Sequence, residues 1–333
     1  MDAIFYKATT QGKGRASQIT WRVERDAPVE VGFGRGLSVF VNPYTGEALG
    51  HRAEKLQAFF QSLEGWHRWL GLNGASRNTA RAVTAACNLL FSFMICSGFY
   101  LWWPKSWSRR ITWFNGRLGG KARDFNWHNT IGFWCSIPLA VMIFCSIVMS
   151  YPLANNLIYR LTGNAPPIGI LRVETRGLEG GANEQLQKPQ GLSLEALCEE
   201  TERRVPQWRT ITLRFPANYD PRLIFTIDSG DGGRPDRRAQ LTLNRITGEE
   251  VKWEPFSSYN AGRRLRAWIR FTHTGEAGGV WGETIAAIAS LGACFLVWTG
   301  LSMVVRRFRG WMNNRRMTFG GPGVAEEEIH SVR

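Results

Sequence analysis

Histidine and cysteine are both scarce in this 333-residue chain, with five of the first and six of the second. No CxxC pair and no Cys/His cluster at zinc spacing occurs, which removes the common structural-metal and dithiol chemistries. Five cysteines (Cys87, Cys96, Cys135, Cys145, Cys294) fall inside long apolar runs and Cys198 stands alone in a polar region. No disulfide framework is therefore possible outside those runs, and the cysteines read as small apolar packing residues. There is no Walker sequence, no G-x-S-x-G and no H-E-x-x-H. The segment Gly32-Phe33-Gly34-Arg35-Gly36 lacks the spacing and the strand-to-helix setting of a dinucleotide loop, so no nicotinamide or flavin domain is evident. Acid is in deficit too: 27 Asp and Glu stand against 41 Lys and Arg, a net charge of +14. Such a balance suits nucleic acid, anionic lipid or an anionic ligand, and only the position of the charges decides among them. Disorder is excluded by 15 Trp and 19 Phe, far more aromatic surface than a coreless chain carries.

Charge is altogether missing from three segments, 82–103, 131–153 and 284–305. Each is 22 or 23 residues long, enough at about 1.5 Å per residue to cross a hydrocarbon core of roughly 30 Å. A buried core helix of a soluble protein rarely runs so long without a charge, so the expectation is a multi-pass membrane protein. Between the first two spans lie Lys105, Arg109, Arg110, Arg117, Lys121 and Arg123 with a single acid, Asp124, and Arg306, Arg307, Arg309, Arg315, Arg316 and Arg333 follow the third span. Both segments are expected on the cytoplasmic side, and residues 1–81 and 154–283 outside. Topology and lipid headgroups then account for the basic charge, and no nucleic-acid partner is needed. An outer N-terminal domain must be exported, yet residues 1–30 contain neither a signal-peptide apolar region nor a span. Either a further membrane helix is encoded upstream of Met1 or the N-terminal part is exported by an unusual N-out insertion, and the first is the expectation.

The outer segments look duplicated. FVNPYTGEAL at 40–49 and TLNRITGEEV at 242–251 share N-x-x-T-G-E at an offset of 202 residues. In each copy a strand-like run leads into a hairpin turn, and an amphipathic stretch, a histidine and a span follow: Asn42, His67 and 82–103, then Asn244, His273 and 284–305. In the second copy a helix is expected over 192–204 with Ser193 as N-cap, followed by strands at 210–215, 222–227 and 239–244. The first copy shows strands at 19–23 and 37–42 but no obvious helix before them. The expected unit is a small α+β module.

Three of the histidines precede apolar spans among aromatics: Trp66-His67-Arg68-Trp69, Trp127-His128 and Phe271-Thr272-His273. His67 and His128 each have a glycine four residues on, Gly71 and Gly132, where a helix would leave room for a flat macrocycle. Neutral imidazole is a standard axial ligand of haem iron, and bundle cores are common haem sites. The competing reading is that these are interfacial histidines, since amphipathic side chains gather at the membrane boundary. His51 and His330 lie in polar, loop-like surroundings and carry no assignment. Ser97-Gly98 and Thr299-Gly300 are small pairs that permit close helix packing or cofactor approach, and Glu283 opens the third span as an interfacial acid. No ionisable group lies at the middle of a span, which disfavours a proton or ion transporter.

GWHRWLG (65–71), SGFYLWWP (97–104), NWHNTIGFW (126–134) and FTHTG (271–275), in this order around the TGE-containing module, resemble the PepSY-associated transmembrane family of iron-regulated bacterial inner-membrane proteins. The resemblance implies α-helical spans, three here and four expected in the family, with periplasmic α+β PepSY-like modules. Its organisation would be a partial first module over 1–54, an amphipathic periplasmic helix region with His67 over 55–81, spans at 82–103, 131–153 and 277–305, a basic cytoplasmic loop at 104–130, a second module over 154–276 and a cytoplasmic tail over 306–333. Some members are ferric-siderophore reductases, which implies b-type haem here, His67 and His273 ligating one haem near the periplasmic face and His128 a second near the cytoplasmic face. Because the family's usual first span carries the second partner for that haem, one haem is expected in this chain and two if the missing helix exists. Implied partners are a ferric siderophore or other chelated iron, a membrane quinol or another electron donor, and the lipid bilayer. The non-enzymatic alternative is a membrane-anchored PepSY-type binding or assembly protein without redox activity.

Overall fold

The computed structural model describes residues 16–33, 37–51, 54–104, 112–166, 191–216 and 220–319. Lys105, Arg109, Arg110, Arg316, Arg333, His330 and the segment ahead of residue 16 lie outside the described residues or have no described side chain. Two compact units are present, one formed by residues 1–90 with 143–283 and the other by 91–142 with 284–333.

The first unit is built on strands β1 (Ala16–Arg22), β2 (Val29–Phe33), β3 (Leu37–Val41) and β4 (Ala48–His51), then β5 (Thr210–Arg214), β6 (Arg222–Asp228), β7 (Arg238–Asn244) and β8 (Glu250–Pro255). They form one antiparallel sheet of eight strands in the order β4-β3-β2-β1-β5-β6-β7-β8. Two four-stranded meanders thus join back to back through β1 and β5, with Gln18 opposite Arg214 and Arg22 opposite Thr210. At the seam the hydroxyls of Thr20 and Thr212 lie 3.0 Å apart. Side chains alternate as a half-buried strand requires. Ile19, Trp21, Ile211, Leu213, Leu223, Phe225, Ile227, Leu241 and Leu243 form one buried face, and Leu194, Leu197 and Cys198 of helix α5 (Leu194–Arg204) pack into the same core. Cys198, solitary in its sequence neighbourhood, is thereby a core residue. Ser193 caps α5 by accepting from the Ala196 amide at 3.2 Å.

The repeated N-x-x-T-G-E builds the same turn twice. In β3–β4 the Asn42 carboxamide oxygen accepts from the amides of Tyr44 (2.8 Å) and Thr45 (3.2 Å), and Gly46, at φ 68°, donates to the Asn42 carbonyl at 3.0 Å. In β7–β8 the Asn244 carboxamide oxygen accepts from Ile246 (2.9 Å), and Gly248, at φ 75°, donates to the Asn244 carbonyl at 2.8 Å. The positive φ explains the glycine, and the asparagine replaces backbone partners that the turn leaves unpaired. A register shift precedes each turn, at Phe40/Val41 and at Thr242/Leu243. Strands β2, β4 and β8 had no counterpart among the sequence-derived strands. VEVGF and EVKWEP do alternate, through Val29, Val31 and Phe33 and through Val251 and Trp253, but over too few residues for the signal to stand out, while ALGH has no alternation and is a strand only through its pairing to β3.

Helices α1 (Glu54–Trp69) and α6 (Ala261–Thr274) follow the two meanders, and α4 (Pro152–Leu161) packs on α6. That crossing is close because Gly262 has no side chain: a Cβ there would meet the Tyr159 ring at 2.5 Å.

The long apolar helices are α2 (Ser76–Trp102), α3 (Gly120–Ser150) and α7 (Gly279–Phe319). All three are long and apolar enough to cross a membrane. Their apolar side chains are largely uncovered, Phe93 being 69% and Trp298 73% exposed, a surface tolerable in hydrocarbon and not in water. Each extends beyond its charge-free core. Helix α3 begins at Gly120, so residues 120–130, expected as loop, are helical, and His128 sits two turns inside the helix. Helix geometry does not require an uncharged sequence, and charged first turns suit an interface. At the other end α3 stops at Ser150, and Pro152 opens α4 at its first helical position, where a missing amide hydrogen costs nothing.

Candidate functional site

In the first unit, His67 lies in the last turn of α1 and His273 in the last turn of α6. Each helix follows the fourth strand of its meander, so the duplication brings the two histidines together. Their ring centroids are 6.2 Å apart with planes inclined by 33°. Two imidazoles holding one iron from opposite sides, at about 2 Å from nitrogen to metal, have ring centres roughly 6 Å apart, and the observed separation agrees with that spacing.

Both helix ends are anchored. Leu70 at φ 53° and Gly71 at φ 72° end α1, with the Gly71 amide donating to the Gly65 carbonyl at 3.1 Å. Gly71 is therefore a helix terminator rather than a gap on a helix face, which corrects the role expected for it. Trp69 is held between the guanidinium groups of Arg68 and Arg77, at 4.4 and 4.7 Å from its ring centre. On α6, Asn260 caps the start by accepting from the Arg263 amide at 2.8 Å, and Gly275 at φ 83° ends it. A Cβ on Gly275 would lie 2.6 Å from the Gly282 carbonyl oxygen, so only glycine allows this turn into α7. Phe271, two residues before His273, is buried beneath the guanidinium groups of Arg270 and Arg238, at 4.6 and 4.8 Å. Arg238 is itself held by Asp228, Nε to Oδ2 at 2.9 Å. Nearby, burial pushes the Glu254 carboxyl up, but hydrogen bonds from Arg263 (2.7 Å) and Lys252 outweigh it and hold the group below the ordinary glutamate range.

The second unit contains His128. It lines a half-open cavity of about 490 Å³ between α2, α3 and α7, within the range of small-molecule and cofactor sites. Phe91, Phe99, Trp102 and Phe133 supply aromatic walls. Gly98, Gly132 and Gly300, one from each helix, also line it. A Cβ on Gly98 would meet nothing within 4 Å, and one on Gly300 would lie 3.7 Å from Cε1 of His128. A flat, apolar macrocycle needs bare backbone of this kind on several sides, so the residues present fit a haem with His128 as one ligand. Among the described residues no second histidine lines the cavity.

His128 is oriented from α7. Its Nδ1 lies 2.9 Å from the Thr299 hydroxyl, which donates to the carbonyl oxygen of Phe295 at 2.7 Å. One turn away, the buried Asp124 accepts from Ser302 (3.3 Å) and pairs with Arg306 (3.0 Å) and Arg123 (3.1 Å). Thr299, Ser302 and Arg306 thus form a polar stripe on α7 that meets Asp124 and His128 on α3. Sequence reasoning missed this stripe, counting Asp124 only as loop charge and Thr299 only as half of a small pair. The usable signal was three polar residues at helical spacing on the flank of an apolar run. Closer to the middle, a Cβ on Gly292 would fall 2.5 Å from Sγ of Cys135, so the α3–α7 contact depends on a glycine meeting a small thiol.

His51 ends β4 rather than lying in a loop, and Glu283 is exposed in the second turn of α7. No group of three or more His, Cys, Asp or Glu side chains that could hold a separate metal ion occurs among the described residues. No curated protein matches the chain. A family model for the PepSY-associated TM region matches residues 2–307, and with nearly the whole chain covered, the protein belongs to that family of membrane proteins.

Proposed function

We propose that the protein is a haem-containing reductase of the bacterial inner membrane, passing electrons to ferric iron held by a siderophore or another chelator in the periplasm during iron acquisition. The observation that carries this reading is the pairing of His67 with His273 at 6.2 Å, produced by two copies of one structural unit. The His128 cavity, with its three bare glycines, supports a second electron-carrying position. Haem b supplies one-electron transfer when bound. The chain's own residues ligate through imidazole, exclude water with aromatic walls and hold ligand orientation through the anchored ends of α1 and α6. The sheet unit would stand in the periplasm beside the ferric substrate, and electrons would enter from a membrane quinol or another donor.

A reduced-minus-oxidised absorption spectrum of detergent-purified protein, with haem quantified against protein, tests the reading. Sharp b-type bands are expected, and His67→Ala or His273→Ala should each remove the signal of the shared haem. Normal haem content in both variants would end the ligand assignment. The second reading, a membrane-anchored binding or assembly protein, draws on the exposed apolar face of α1, where Leu56, Phe59, Phe60 and Leu63 are each about half uncovered. It predicts a folded protein without haem and tolerance of both substitutions.

A further inference from the structure

We propose that Thr299 is the positioning residue that selects Nε2 of His128 as the ligating nitrogen and keeps its lone pair available to the cavity. The inference rests on the haem reading of that cavity. The Thr299 hydroxyl oxygen lies 2.7 Å from the Phe295 carbonyl oxygen and 3.2 Å from that of Leu296, both on its own helix. Its single hydrogen is committed there, because a carbonyl only accepts. With that hydrogen committed, the contact with His128 Nδ1 at 2.9 Å has the ring nitrogen donating, and the Leu296 backbone carbonyl is a further acceptor beside the ring. A neutral imidazole protonated at Nδ1 has its lone pair at Nε2.

Thr299 is 3% exposed, so water does not compete for this bond. The pairs Asp124–Ser302 and Asp124–Arg306, one turn further on, hold the two helices in the register that the bond requires. Isolated imidazole side chains exchange between tautomers, and a ligand that must first adopt the right one binds more weakly. Partners of this kind behind a ligating histidine alter metal affinity by roughly 10- to 100-fold.

The test uses the full chain in detergent. Nitrogen-15 NMR of histidine-labelled, haem-free protein reads the tautomer directly, with the His128 signal identified by its loss in His128→Gln. Protonation at Nδ1 is expected in the wild type and in Thr299→Ser, and a tautomer mixture in Thr299→Val. Haem titration of the same samples should show Thr299→Val weakened by about 10- to 100-fold and Thr299→Ser close to wild type. The same tautomer and affinity in Thr299→Val as in wild type, while His128→Ala loses the site, would overturn the role of Thr299 and leave the haem reading standing. Haem binding indifferent to His128→Ala would overturn both, and so separates the two failures. Failure of Thr299→Ser to restore the Nδ1 tautomer would also overturn the proposal, since the hydroxyl alone is asked to do the work.

Discussion

Gly98→Leu tests the proposed binding of haem in the His128 cavity separately from helix packing. A Cβ at this position meets nothing within 4 Å, so the side chain enters open space rather than a neighbouring helix. It displaces roughly 100 Å³, about a fifth of the 490 Å³ cavity beside His128. Helix propensity improves by up to about 1 kcal/mol, which favours retention of the fold. A rigid macrocycle forced against the new side chain meets overpacking of about 1–3 kcal/mol, equivalent to roughly 5- to 150-fold in affinity. Gly292→Leu is the contrasting variant, because its Cβ alone would collide with Cys135 Sγ at 2.5 Å, and it should unfold or fail to accumulate. The assay is haem per protein and the difference spectrum, with thermal unfolding in detergent as the control for folding. Gly98→Leu should keep its unfolding temperature while losing the haem signal that the proposed function assigns to His128. Full retention of that signal in a folded Gly98→Leu protein would refute the cavity as its seat.

Two stability predictions concern the sheet unit. Phe225 is fully buried in β6 and stacks edge-on against Trp21 of β1 at 6.5 Å, so Phe225→Ala should lower unfolding free energy by about 3–5 kcal/mol, readable by denaturant titration. Glu254 has its folded pKa held below the ordinary value of 4.5, so its contribution is present above that value and is lost as pH falls through the folded pKa. Because Arg263 is partly exposed the effect is at most about 1 kcal/mol, and Glu254→Gln should flatten the acid limb of the unfolding temperature against pH. An acid limb unchanged by Glu254→Gln would refute that assignment.

The sequence alone determined the features that depend on local pattern. Three charge-free runs specify helices that lipid must cover, because hydrocarbon tolerates neither a charge nor an open backbone bond. The N-x-x-T-G-E turns were legible because a carboxamide that replaces a backbone partner, followed by a glycine at positive φ, leaves the same residues wherever the turn recurs. Ser193 was legible as a cap for the same local reason. The three candidate histidines were visible as residue types in suggestive settings, but their relation to one another was not.

Tertiary structure decided what non-local contact controls. Strands β1 and β5 merge two expected modules into one sheet through backbone hydrogen bonds between residues nearly two hundred positions apart, and those bonds carry no side-chain signature. The 6.2 Å approach of His67 to His273 follows from that arrangement of repeated units and from where two helices stop. Gly71 shared its spacing with Gly132, yet one ends a helix and the other lines a cavity, a distinction set by the helix terminus rather than by the interval. The bond between Thr299 and His128 depends on how two apolar helices rotate about their axes. Packing of Cys135 against Gly292, and of Asp124 against Ser302 and Arg306, sets that rotation, and neither contact exists until the helices meet.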